Sequence, residues 1–210
     1  MVETPLIGTM DPHRTALLLI GYQNDYFAND GVLHRVIEDT ARITDVLSNT
    51  VDLLDRLSPT PVLIISTPIV FTAGYSELVE PVGILKTIKE VGAFQAGQRG
   101  SETTPELVRF KDRIMEVPGK RGFNAFSDTG LDEILRKHGV RDLVIAGVVT
   151  SICVDSTGRS ASEKGYRTTI LSDCTSGRTP FEQTFYCDNV LPLYATVTDR
   201  DEFVQSLGGS

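Results

Sequence analysis

The stretch Asp142-Leu-Val-Ile-Ala-Gly-Val-Val-Thr-Ser-Ile-Cys153 ends on the residue best suited to covalent chemistry. Its apolar, β-branched run reads as a buried strand, Gly147 releases that strand, and a helix is predicted to begin near Cys153. A cysteine in the first turn of a helix lies beside unpaired backbone N–H groups and the positive end of the helix dipole. Both stabilise a thiolate, the form in which cysteine is a nucleophile. A buried, inert thiol is the other reading, and the commoner fate of a free cysteine. The spacing alone leaves both open. Cys174, in Ser172-Asp-Cys-Thr-Ser-Gly177, is read as following a strand. Cys187 lies on a predicted helix among aromatic residues. Both read as packed structural thiols.

Elements able to position such a cysteine alternate along the chain. Strands are predicted at Thr15–Ile20, Pro61–Ser66, Ile114–Val117, Asp142–Val148, Arg167–Ser172 and Ala195–Thr198. Helices are predicted at Asp39–Leu57, Gly130–His138, Cys153–Lys164, Pro180–Leu191 and Asp201–Leu207, with Ser58-Pro59, Gly139 and Gly165 as stop signals. Strand–helix alternation implies right-handed crossovers and a doubly wound, mostly parallel α/β sheet with helices on both faces. The strands are apolar without alternation, as strands covered on both sides are. Ligands of such sheets bind at the strands' carboxyl ends. Three segments therefore converge: the loop after Ile20, the loop after Val117 and the turn before Cys153. Residues 71–106 form a long excursion whose aromatic and aliphatic content argues against disorder. It reads as a cover over the crevice or a subunit contact.

At 210 residues the chain is predicted to form one domain, 1–210, with a large core. Its 40% hydrophobic and 23% charged content is that of a globular protein, not a disordered one. A formal net charge of -8 without a Lys/Arg cluster argues against nucleic-acid or membrane partners. Three cysteines, an odd number, favour reduced thiols and a cytoplasmic setting. The N-terminus lacks a signal-peptide pattern, no apolar run approaches a membrane span, and the final Gly-Gly-Ser is expected to fray.

The convergent loops read Gly21-Tyr-Gln-Asn-Asp-Tyr-Phe27 and Lys120-Arg-Gly-Phe-Asn-Ala-Phe126. With Gly147-Val-Val-Thr-Ser-Ile-Cys153 they resemble, in order and spacing, the isochorismatase-like cysteine hydrolases, the group that includes nicotinamidases and N-carbamoyl amidohydrolases. The resemblance spans most of the chain. It implies that Cys153 is the nucleophile and Lys120 its electrostatic partner. It also implies a non-proline cis peptide at Val148-Val149 that turns the Val149 N–H, with that of Cys153, toward a shared oxyanion hole. Tyr22, Asp25, Phe27, Phe123 and Thr150 are the candidate substrate contacts. The aspartate that serves as general base in the family falls at Gly21, and glycine accepts no proton. Losing such a base forfeits about 10²–10⁴ in rate.

Three readings follow from Gly21. Another carboxylate reaches in (Asp25, Glu77 or Glu80), the Cys153–Lys120 pair acts without one, or the site binds a ligand without turnover. Tyr22 and Tyr26 flank the gap, where they fill space or hydrogen-bond a ligand. Restoring an aspartate at position 21 is then the informative substitution. The metal cluster of nicotinamidases has no counterpart in Ser66-Thr-Pro-Ile-Val-Phe-Thr-Ala73, and His13, His34 and His138 are scattered, so no cofactor is expected. Isochorismatases themselves keep the aspartate and lack the cysteine, the opposite pattern. Dinucleotide, P-loop and serine-elbow motifs are absent. The expectation is a cysteine hydrolase cleaving a C–N bond of a small amide, imide or ureido substrate, as a homo-oligomer of two or four chains. The alternative is a weakly active or inactive ligand-binding homologue.

Overall fold

Thr15–Ile20 (β1) and Asp142–Val148 (β4) are buried at every position. They lie side by side at the centre of a six-stranded sheet, ordered β3-β2-β1-β4-β5-β6 and parallel throughout. The other strands are Leu63–Thr67 (β2), Ile114–Glu116 (β3), Arg167–Ser176 (β5) and Thr196–Thr198 (β6). The strand order reverses at the β1–β4 junction, so connections diverge there and leave a crevice beyond the carboxyl ends of both strands. The computed structural model describes residues 8–208. The expectation about a leader, and that about the last two residues, fall outside them.

The helices are Asn24–Phe27 (α1), Thr40–Leu57 (α2), Gly83–Val91 (α3), Pro105–Val108 (α4), Leu131–Lys137 (α5), Asp155–Glu163 (α6), Pro180–Phe185 (α7) and Arg200–Ser206 (α8). The long helix α2 starts where Asp39 accepts the Arg42 N–H at 3.1 Å, and buries Ile43, Val46, Leu53, Leu54 and Leu57 along one stripe. None of the described helices is long and apolar enough to cross a membrane.

Three expected elements differ. The helix drawn from Cys153 is preceded by a π-helical turn, Thr150–Val154, and becomes α-helical only at Asp155. The strand drawn to Ser172 continues to Ser176, so Cys174 lies within β5; a register irregularity against β4 between Ile145 and Gly147 accompanies the longer pairing. The helix drawn over Pro180–Leu191 is α-helical only to Phe185, then passes through a second π turn, Tyr186–Val190. Hydrophobic periodicity cannot distinguish a four- from a five-residue hydrogen-bond step over so short a span.

The excursion is ordered around α3 and α4, and the β1 loop holds it. Gln23 donates to the carbonyls of Ile69 and Ser101, each at 2.8 Å, and accepts from Ile69 N–H at 2.9 Å. Asp25 accepts the Phe94 N–H at 2.6 Å, and the Phe94 ring packs on Tyr26 with centroids 5.3 Å apart.

Candidate active site

Gly147 is paired with Ile20 across the central junction, and no other residue fits there. Its φ is +130°, and a Cβ would stand 1.9 Å from the Ile20 carbonyl oxygen. The chain leaves β4 through a cis peptide between Val148 and Val149 and enters the π turn. In that turn the Val149 carbonyl accepts from Val154 at 3.2 Å and from Ile152 at 3.1 Å. A regular α-helix would have handed that carbonyl to Cys153. The turn thus carries Cys153 as its fourth residue, not the first of a helix as the sequence implied.

Lys120 arrives from the loop after β3. That loop is fastened to α6: Thr157 accepts the Ala125 N–H at 3.0 Å, and Asn124 donates to the Ser160 hydroxyl at 2.9 Å. Lys120 is 0% exposed and Cys153 3%. Lys120 Nζ lies 3.5 Å from Cys153 Sγ and donates to the Gly122 carbonyl at 2.6 Å. Burial pushes the Lys120 pKa down, and the adjacent Cys153 opposes that shift. Cys153 has no other side-chain hydrogen-bond partner among the described residues. Burial pushes Cys187 up to about 11 and Cys174 higher still, so both remain thiols at neutral pH.

Gly21 closes β1 opposite this turn with φ +76°. A Cβ there would lie 2.8 Å from the Val148 carbonyl oxygen and 3.5 Å from the Tyr26 ring. A side chain at position 21 would therefore run into the Val148 carbonyl and the Tyr26 ring. Tyr26 is buried as a residue, and its hydroxyl makes no hydrogen bond to another described residue. Its pKa is raised by burial, then by Cys153 and Asp25.

Several expected substrate contacts lie elsewhere. Tyr22 points to the α2 side of the sheet, where its hydroxyl meets that of Thr50 at 2.6 Å and donates to the Cys174 carbonyl at 3.3 Å. Phe27 stacks on Tyr22, 5.0 Å and 11° apart, and belongs to the same buried layer. Asp25 is committed to Phe94. Thr150 is buried and donates to Gln183 Oε1 at 2.7 Å, so its hydroxyl is not presented to a ligand. Phe123 is 38% exposed, on the loop that delivers Lys120. Of the three carboxylates considered as substitutes for the base, none is hydrogen-bonded to Cys153. Glu77 accepts from Thr72 N–H at 3.0 Å and pairs with Arg121 at 3.4 Å, and Glu80 is exposed.

Sequence reasoning missed Glu182 and Gln183 of α7, which grip the residues leading to Cys153. Gln183 Oε1 accepts from Thr150, as above, and from the Gly177 N–H at 2.7 Å. Glu182 accepts from the Ser151 hydroxyl and from the Arg178 N–H at 3.0 Å, and pairs with the Arg178 guanidinium at 2.7 Å. Burial raises the Glu182 pKa, but hydrogen bonds from Arg178 and Ser151 outweigh it and leave the carboxyl below its ordinary value. Adjacent polar residues early in a predicted helix gave no signal of this contact. No group of three or more His, Cys, Asp or Glu side chains gathers to hold a metal among the described residues.

Fold and site together define an α/β protein with a buried cysteine–lysine pair at the carboxyl edge of a parallel sheet. The model of the isochorismatase domain matches residues 15–202, and the chain belongs to that family. Solved structures of similar fold include a cysteine hydrolase from Pseudomonas syringae pv. phaseolicola 1448A, with TM-score 0.86 and 19% identity over 99% of this chain and 98% of that one. An N-carbamoylsarcosine amidase from Thermoplasma acidophilum gives 0.70 and 21% over 91% and 98%. A nicotinamidase from Bacillus subtilis gives 0.67 and 20% over 89% and 99%.

Proposed function

We propose that this protein is a cysteine hydrolase of small amides, imides or ureido compounds in which Lys120 takes over the work of the absent aspartate. The observation that carries this reading is the 3.5 Å approach of Lys120 Nζ to Cys153 Sγ inside a closed site. A lysine whose burial lowers its pKa is a base as well as a charge. The Cys153 proton passes to the neutral amine, and the thiolate attacks the substrate carbonyl carbon. The Val149 and Cys153 N–H groups receive the oxyanion. Collapse breaks the C–N bond, and the departing nitrogen takes its proton from the Lys120 ammonium. Water then attacks the thioester, giving one proton to Lys120, and the acid product leaves as the thiolate is restored.

The test is alkylation by iodoacetamide at neutral pH, with the modified cysteine identified by peptide mass. Cys153 is expected to react well ahead of Cys174 and Cys187, and Lys120→Met to slow it at least tenfold. A Cys153 no faster than an ordinary thiol, and indifferent to Lys120→Met, would sink the reading. A screen of small amides, ureas and imides follows, with Cys153→Ser as the blank.

A second reading, ligand binding without turnover, is favoured by the lack of any carboxylate bonded to Cys153 among the described residues. Binding of a small amide or ureide by Cys153→Ser, with no hydrolysis by the parent protein, would select it. A reducing, cytoplasmic setting fits three cysteines that are all free thiols. A homo-oligomer fits Val79 and Val82, 85% and 79% exposed on the excursion.

A further inference from the structure

We propose that Gln183 and Glu182 are positioning residues that hold Thr150 and Ser151, and so set the aim of the backbone N–H groups receiving the oxyanion. This rests on the cysteine-hydrolase reading and adds the means by which its oxyanion site is held. Successive residues of an α-helix point 100° apart, so both reach one turn only if that turn lies along the flank between them. Here the pairing is one to one, Gln183 with Thr150 and Glu182 with Ser151. Thr150 and Ser151 stand between the two donors, Val149 and Cys153. A rotation of either would swing both N–H vectors.

Gln183 is anchored far more firmly than a single hydrogen bond requires. Its Nε2 donates to the Ser172 carbonyl and the Thr175 hydroxyl, each at 3.2 Å, and to Cys187 Sγ at 3.3 Å. Its Oε1 therefore occupies a point fixed by β5, and through Gly177 N–H by the β5–α7 connection. Glu182 is fixed from the other side by Arg178 and by the Thr179 hydroxyl, which accepts the Glu182 N–H at 3.0 Å. The π turn gives up α-helical hydrogen bonding at the nucleophile, and α7 supplies the hydrogen bonds that define its path instead. Such preorganisation matters for acyl transfer, where a donor misplaced by about 1 Å costs on the order of 10²-fold. It does not matter for alkylation of a thiolate, which develops no oxyanion.

That difference is the test. Thr150→Val removes one hydroxyl at constant shape, and Gln183→Leu removes the whole anchor. Each is compared with the parent protein for acylation of Cys153 by p-nitrophenyl acetate and for alkylation by iodoacetamide. Thr150→Val is expected to lose acylation about ten- to hundredfold while alkylation stays within about twofold. Thr150→Ser, which keeps the hydroxyl, is expected to recover acylation. Gln183→Leu is checked for folding by thermal denaturation, and Thr150→Val carries the conclusion if it unfolds. Equal losses of acylation and alkylation, or an unchanged ratio in Thr150→Val, overturn the positioning role. A parent protein whose Cys153 is not hyper-reactive overturns the hydrolase reading itself, and the positioning role with it.

Discussion

Gly21 occupies a backbone conformation that a side chain adopts only at a cost of about 1–3 kcal/mol, before its Cβ meets the Val148 carbonyl oxygen at 2.8 Å. Gly21→Ala and Gly21→Asp are both expected to lower the urea midpoint of unfolding, and Gly21→Asp to bring no gain in hydrolysis. A stable Gly21→Asp with raised activity would mean that the backbone relaxes and that the missing base had been limiting. The residue letters showed only that no acid stands here. They did not show that the surrounding backbone leaves no room for one, because φ and a close carbonyl are properties of the folded turn. The Cys153–Lys120 pairing was legible through the order of three motifs. The roles of Tyr22 and Phe27 were not, since residues in one loop divide between site and core according to the path of the loop.

The elements that present the site are held by few contacts, each of which can be removed. Asp25 accepts the Phe94 N–H from the excursion, and its removal leaves a buried donor unpaired at a cost of about 1–3 kcal/mol. Asp25→Ala is expected to speed amide exchange at Phe94 and its neighbours, with α2 unaffected; unchanged protection there would show that the remaining contacts of the β1 loop, from Gln23, Asn24 and Tyr26, hold the segment. The Glu182 carboxyl sits below its ordinary value of 4.5. The folded state thus binds that proton more weakly than the unfolded chain. Its contribution to stability is complete above the ordinary value and is lost as pH falls through the lower folded one. Thermal denaturation of the parent and of Glu182→Gln should therefore differ at neutral pH and converge in acid; a constant gap would exclude linkage through Glu182. Strand and helix positions were readable from apolar runs, caps and glycine stops. The π turns and the α7 clamp were not, because they depend on which carbonyl each N–H meets.

At the scale of the molecule, the exposed valines of the excursion bear on assembly. Sedimentation is expected to report a dimer or tetramer, and Val79→Asp with Val82→Asp to shift it toward monomer; a monomeric parent protein would refute the assembly. The parallel order of the sheet was read from strand–helix alternation alone. Which strands sit at its centre was not, since alternation leaves strand order open. That order carries a consequence for how the protein acquires its reactivity. The Ile20–Gly147 register joins strands from opposite halves of the chain, and closing so long a loop is among the costlier steps on the way to the folded state. The nascent or refolding chain should therefore hold an ordinary cysteine until its two halves zip together. In pulsed alkylation during refolding, the onset of fast Cys153 labelling would then time the meeting of β1 and β4, making the nucleophile a clock for that long-range contact.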